Sequence, residues 1–324
     1  MNNSRPYHGD TGIADEFIPL RMVVIVFTSA SLFCSLCTGM VYIFLCFNNY
    51  KNAQRPTLQF VMLATVSTVI VETLDIVNWA LIGNSRYCGI SRTFLLFFNA
   101  VNASSLSCIG LNLIFLLYSG VATQNKVKYF YYPGIFLVSL IATSVPIYQA
   151  CHWYSQAARD IQYNRSCWFY SRHYDGSGEW NFFWLWYFCV LFVIIIVAGV
   201  SSILAVCKLF LEYQKQDTSI SSKKVFLRVG IRCVLYTLVP FIVNIWSFIM
   251  QFTEFHAYEY NYPLVFIDAF LSSCCGILVS AIFFSEPTVI TFLMGKCFRR
   301  HSSSHTIDDL PYSTEDHSTA VPVI

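Results

Sequence analysis

Seven long apolar runs divide the chain, roughly 22–47, 58–82, 94–118, 130–151, 182–211, 233–252 and 262–284, with shorter polar segments between them. Each is long enough, as a helix rising about 1.5 Å per residue, to cross a hydrocarbon core of about 30 Å. None alternates apolar and polar positions as a barrel strand must. The remaining polar chain is too little to wrap seven buried helices in a water-soluble shell. The pattern predicts an all-α membrane protein, a seven-transmembrane helix bundle over residues 22–295, with residues 1–21 before it and a tail, 296–324, after it. Ser285-Glu286-Pro287 interrupts the helical pattern, and 288–297 reads as a short amphipathic helix lying on the membrane surface.

Composition supports this reading. Of 324 residues 56% are hydrophobic and only 12% charged, against about 25% charged in a soluble domain. A net charge of +2 is too small to point to nucleic acid. The opening MNNSRPYHGD is polar and the first apolar run has full span length, so no cleavable signal peptide is expected.

Charge sets the orientation. With the C-terminus inside, thirteen of the 20 Lys and Arg fall in inner segments and seven in outer ones, three of the seven in the long loop 152–179. Cytoplasmic segments carry the Lys/Arg excess, so the N-terminus is placed outside. The sequons at Asn2 and Asn164 then face outward as glycosylation sites, whereas the one at Asn102 lies within a span. The long outer loop is aromatic and includes Trp168; Trp180, Trp184 and Trp186 form an interfacial belt at the start of span five. Cys88 and Cys167 both face the oxidising exterior and are expected to form a disulfide, with Cys151 the competing partner.

The chemistry lies inside the spans. Glu72 and Asp75, three residues apart, share one face of span two. An acid in hydrocarbon costs a few kcal/mol and belongs against the bundle interior or a water-filled cavity. Asp268 in span seven is expected at a similar height. Three acids at one level suit a cationic-ligand pocket, a Na⁺ site or a proton-sensing cluster, or simply structural hydrogen bonding. Asn99 and Asn102 on span three suit amide bonding across helices, with Asn99, the outermost, the better ligand candidate. The candidate ligand contacts are therefore Glu72, Asp75, Asn99, Trp168, Trp184 and Asp268. Cys34 and Cys37 form a C-x-x-C, read here as two inert thiols in a membrane helix.

Span six carries Pro240 in an otherwise regular helical stretch. Proline has no N–H, so the carbonyl of Tyr236 loses its helical donor; neighbouring helices make such a defect tolerable in a membrane. Lys223, Lys224, Arg228 and Arg232 give this helix a basic inner end, a candidate surface for a cytoplasmic partner, although inner-leaflet lipids account for much of such charge. A hinged helix charged at its inner end can report outer events to the inside. Cys297 is a candidate palmitoylation site, and the Ser/Thr-rich tail suits phosphorylation.

Two segments carry a resemblance: IRCVLYTLVPFIVNIWSF at 231–248, with Tyr-x-x-x-Pro in span six, and ILVSAIFFSEPTVITFL at 277–293, with a Phe-Phe-Ser-acid-Pro turn; Cys167-Trp168 in the outer loop fits as well. The layout resembles a seven-transmembrane G protein-coupled receptor, and these segments resemble the fungal and amoebal cAMP-receptor-like and glucose-sensing group. The resemblance implies a plasma-membrane receptor that binds an extracellular ligand and signals through a heterotrimeric G protein by movement of span six, with kinase and arrestin-like regulators at the tail. Span three ends LLYSGVATQNK, without the acidic-Arg-aromatic triplet of rhodopsin-like receptors, and span seven lacks Asn-Pro-x-x-Tyr.

The competing reading is a secondary transporter or channel lined by the acids; it lacks an internal repeat and broken helices in matching positions. An intramembrane enzyme is not expected, nor is a metal or other cofactor. All seven histidines lie in loops or termini, which leaves no His-liganded metal site in the bundle. No lysine occurs between Val225 and Gly295 to hold retinal as a Schiff base. The orientation predicts that an epitope inserted after Cys297 is reached by antibody only once cells are permeabilised; staining of intact cells would reverse the topology.

Overall fold

The computed structural model describes residues 12–48, 50–80, 85–152, 182–215, 220–252 and 262–302. These are helical except at Gln54, Arg55, Cys274, Ser285 and Glu286, and no strand occurs among the described residues. The elements are α1 (Gly12–Asn48), α2 (Tyr50–Ala53), α3 (Pro56–Ala80), α4 (Ser85–His152), α5 (Phe182–Lys215), α6 (Ile220–Phe252), α7 (Tyr262–Ser273), α8 (Cys275–Phe284) and α9 (Pro287–Ser302).

Seven stretches are long and apolar enough to cross a membrane: Met22–Asn48, Pro56–Val77, Thr93–Tyr118, Tyr129–Tyr148, Leu185–Lys208, Val229–Ile249 and Phe266–Phe284. α3 starts at Pro56, where a missing N–H costs nothing because first-turn donors have no helical partner. α1 begins at Gly12, ten residues before the apolar run: the run marks the lipid-contacting segment, and the helix continues beyond it. α4 carries spans three and four and is 68 residues long. A straight helix of that length would extend about 100 Å. Instead Phe97 packs on Phe136 and Phe115 on Tyr131, so the chain doubles back between the two spans. The short helix expected after span seven forms and runs longer, Pro287–Ser302.

Span one packs on spans two and seven, span five on spans six and α4, and span six on span seven, which closes the bundle. Span three is its centre: most of it is buried, whereas most of spans one and four is not. The distribution of side chains is that of a multi-pass membrane protein. Phe33, Phe47, Phe130, Val193 and Ile203 are exposed on the outside, while Ser31, Thr38, Ser105, Asn102 and Glu72 are buried. In a bilayer, polar groups must find partners within the protein. Many do so across helices. Asn102 Nδ2 donates to Thr68 Oγ1 at 2.5 Å and to the Ala64 carbonyl at 3.1 Å. Thr38 donates to Ser280 at 2.9 Å, Tyr132 to Gln59 at 3.0 Å, and the Trp186 indole to the Ile141 carbonyl at 3.0 Å. Each such bond is worth on average about 0.6 kcal/mol in a membrane.

Spans three, five and six approach closely at Gly110. A Cβ there would lie 2.7 Å from the Ala198 carbonyl oxygen and 2.8 Å from Thr237 Cγ2, and would also collide with Ser202 Oγ. The backbone oxygen cannot rotate away, so Gly110→Ala is expected to cost about 1–3 kcal/mol. A thermal unfolding scan in detergent should register this as a lowered midpoint.

Candidate functional site

Span seven is not one helix. Ser273 Oγ donates to the Ala269 carbonyl at 2.7 Å, a back-bond that loosens the ladder. The Cys274 N–H is shared between the carbonyls of Phe270 and Leu271, both at 3.1 Å, and the helix restarts with Cys274 as N-cap. No side chain of its own caps α8. The first-turn N–H groups of a helix need outside partners, and Glu72 supplies one: the Gly276 N–H faces its carboxylate. Ser31 and Ser35 from span one complete the cluster. The Ser31 hydroxyl donates to Glu72 Oε1, and Ser35 also bonds the carboxylate. Gly276 permits this approach, since a Cβ there would collide with Ser31, Ser35 and Glu72. Glu72 is 3% exposed, and its Oε2 has no hydrogen-bond partner among the described residues. A carboxylate at a helix N-terminus is also favoured by the helix dipole. Glu72 thus joins spans one, two and seven at the break.

Asp75, one turn outward, is half-buried and within electrostatic reach of Glu72. Asp268 is elsewhere. It precedes Gly276 by eight residues, about 12 Å along a helix, so it lies well outward of Glu72. The expectation of three acids at one level is corrected on that register. Asp268 is fully buried, accepts from Ser247 of span six at 2.5 Å through Oδ1, and has no partner for Oδ2 among the described residues.

A second polar centre surrounds the proline of span six. α6 runs continuously through Pro240. One turn further out, buried Asn244 donates to the Pro240 carbonyl at 2.7 Å. Asn99 of span three donates to Asn244 Oδ1 at 3.3 Å and reaches the Tyr187 hydroxyl at 3.4 Å; Tyr187 donates to the Leu96 carbonyl at 3.2 Å. Spans three, five and six are therefore tied together beside Pro240, and the Asn99 amide is used for bonding across helices. At the inner end, Arg232 is 7% exposed and pairs with Glu286 at 3.1 Å, at the junction of α8 and α9. Its guanidinium faces the bundle.

Asn2, Asn164, Cys167 and Trp168 lie outside the described residues, as does the tail beyond residue 302. Cys88 in α4, Trp184 in α5, Lys223, Lys224 and Arg228 in α6 and Cys297 in α9 are described by their backbone alone. Sequence reasoning missed Ser31, Ser35, Asn244, Ser247 and Glu286. Asn244 had a signal, an amide four residues after a mid-span proline; the serines had none, because small hydroxyl residues are common in spans. Among the described residues no cluster of His, Cys, Asp and Glu could hold a metal ion. No protein-family model and no curated protein matches the chain.

Glu72→Ala should leave the Ser31 and Ser35 hydroxyls and the Gly276 N–H short of an acceptor, costing about 1–3 kcal/mol or more, whereas Glu72→Gln keeps an acceptor oxygen and loses less. Unfolding midpoints of the two variants in matched detergent test the order.

Proposed function

We propose that this chain is a receptor of the G protein-coupled type, which binds an extracellular ligand in the outer half of the bundle and signals by movement of span six. One observation carries the reading: the bonding along that span. Ser247 ties its outer half to Asp268, Asn244 ties its middle to Asn99, and Arg232 ties its inner end to Glu286. Pro240 lies between the middle and inner ties, where the ladder lacks one donor. A ligand that rearranges the outer tie thus acts on a helix that can yield at Pro240 and displace its inner end.

In this reading Asp268, Asp75 and Asn99 meet the ligand, Trp168 and Trp184 are further proposed contacts, and Glu72 holds span seven. Asp268, buried and with no partner for Oδ2 among the described residues, favours a ligand that offers donors or a positive charge. Lys223, Lys224 and Arg228 meet the heterotrimeric G protein, and kinase and arrestin-like regulators act at the tail. The plasma membrane is the proposed location, and no catalysis is assigned. To move the bundle from 1:99 to 99:1 the ligand must prefer the active state by about 5.5 kcal/mol.

A second reading, a transporter or channel, draws on the broken span seven. Helix ends at a break line ion paths in transporters, and Glu72 occupies this one. A single break without a matching partner among the described spans weighs against it. Flux into proteoliposomes lacking any G protein would favour it.

The deciding experiment is nucleotide exchange on the host's G proteins with the protein in lipid nanodiscs, screened over ligands. Pro240→Ala restores a backbone donor and stiffens the hinge. It is expected to cut ligand-stimulated exchange by about tenfold, the equivalent of about 1.4 kcal/mol, without lowering the unfolding midpoint. Full stimulation in that variant would remove Pro240 from the mechanism.

A further inference from the structure

We infer that the Arg232–Glu286 ion pair is the latch that holds the inner arm of span six closed. The inference rests on the reading above for what opening achieves, but the latch itself is defined by geometry.

Its two ends stand on different bodies. Arg232 lies eight residues inward of Pro240, about 12 Å along the helix. On an arm of that length, a swing of about 15° moves the guanidinium about 3 Å, enough to break a contact of 3.1 Å. Glu286 stands on a braced platform. The Ser285 N–H bonds the carbonyls of Ala281 and Ile282, the Glu286 N–H bonds the Phe283 carbonyl at 3.0 Å, and Ile290 returns to the Glu286 carbonyl at 2.9 Å. The next helix, α9, starts at Pro287 and is tied in turn to the inner connection between spans one and two, where Arg55 donates to Thr288 Oγ1 at 3.3 Å; Val289 is fully buried. The ion pair therefore bridges the joint between the arm and its frame.

Burial gives the contact its weight. The side chains of Arg232 and Glu286 are 9% and 20% exposed, and Cys233 and Tyr236, both buried, lie within their electrostatic reach. An exposed ion pair adds little because water competes for both charges. A half-buried one cannot be opened without leaving a charge short of its partner. The arm is thereby held against the end of span seven until the closed state loses its advantage elsewhere, as when ligand rearranges the Ser247–Asp268 contact on the same helix.

The test uses the full chain in lipid nanodiscs, with spin labels on non-natural residues at Ile231 and Met294, because the 13 native cysteines preclude thiol labelling. Both positions are exposed, one on span six and one on α9. Pulsed electron resonance should give one short distance for the native protein. Arg232→Gln and Glu286→Gln should each move part of the population outward by about 3 Å, the displacement of the swing above. The charge exchange, Arg232→Glu with Glu286→Arg, should recover the short distance. Unchanged distances in both single variants would overturn the latch. So would an exchange variant displaced as far as the singles, since the effect would then be lost packing rather than attraction. If Arg232→Gln does not fold, Glu286→Gln carries the test alone.

Basal nucleotide exchange separates the two proposals. Under both, the Gln variants exchange about three to about thirty times faster without ligand, the range by which losing a half-buried pair tilts a two-state ratio. Displaced labels with no exchange on any host G protein would keep the latch and remove the receptor reading. Undisplaced labels with intact ligand-stimulated exchange would do the reverse.

Discussion

Hydrocarbon offers a polar group nothing to bond to, and the architecture follows from that deficit. Each span satisfies its own backbone by being a helix. Side-chain hydroxyls, amides and acids cannot face lipid cheaply, so they turn inward and pair across helices. Asn102 reaches span two, Thr38 reaches span seven, and Asn99 reaches Asn244. The inner surfaces become a polar seam and the outer ones an apolar coat. Such bonds confer less stability than register, since each specifies which residue of one rod lies beside which residue of the next.

The same deficit explains the irregular places. Where span seven breaks at Cys274, the new helix start needs an acceptor, and the acid of span two meets it. Glu72 and the break support one another: a buried carboxylate needs donors, and a helix N-terminus without a cap has them to give. Gly276 and the two serines of span one allow the contact because they are small. At Pro240 the ladder loses a donor instead, and the Asn244–Asn99–Tyr187 network stands one turn away. The bundle thus has one stiffened irregularity and one compliant one. Both lie on helices joined by Ser247–Asp268 further out and by Arg232–Glu286 at the inner end.

Much of this was legible in the order of residues. A helix's length and the width of a bilayer are both fixed, so a run of about twenty apolar residues has one ready interpretation, and seven such runs set the fold class. Pro56 as a helix start and Pro240 as an interior defect follow from the missing N–H, a property of the residue alone. Burial of Glu72 and Asp268 follows as well, because an acid in a span has nowhere cheaper to go. Partners were not legible. Ser31 lies 41 positions from Glu72, Asp268 is 21 from Ser247, and Glu286 is 54 from Arg232. The rotation of each rod about its axis selects such pairs, and periodicity within a single run does not encode it.

The chain order therefore determined by itself that this is a bundle of seven membrane helices with acids and amides inside, since transfer to lipid prices each residue according to its own chemistry. Only the tertiary structure decided that Glu72 meets a broken span seven at Gly276, eight residues past Asp268, and that Arg232 turns into the bundle to meet Glu286. Those outcomes depend on the relative rotation and height of separate helices, which packing sets after the spans exist.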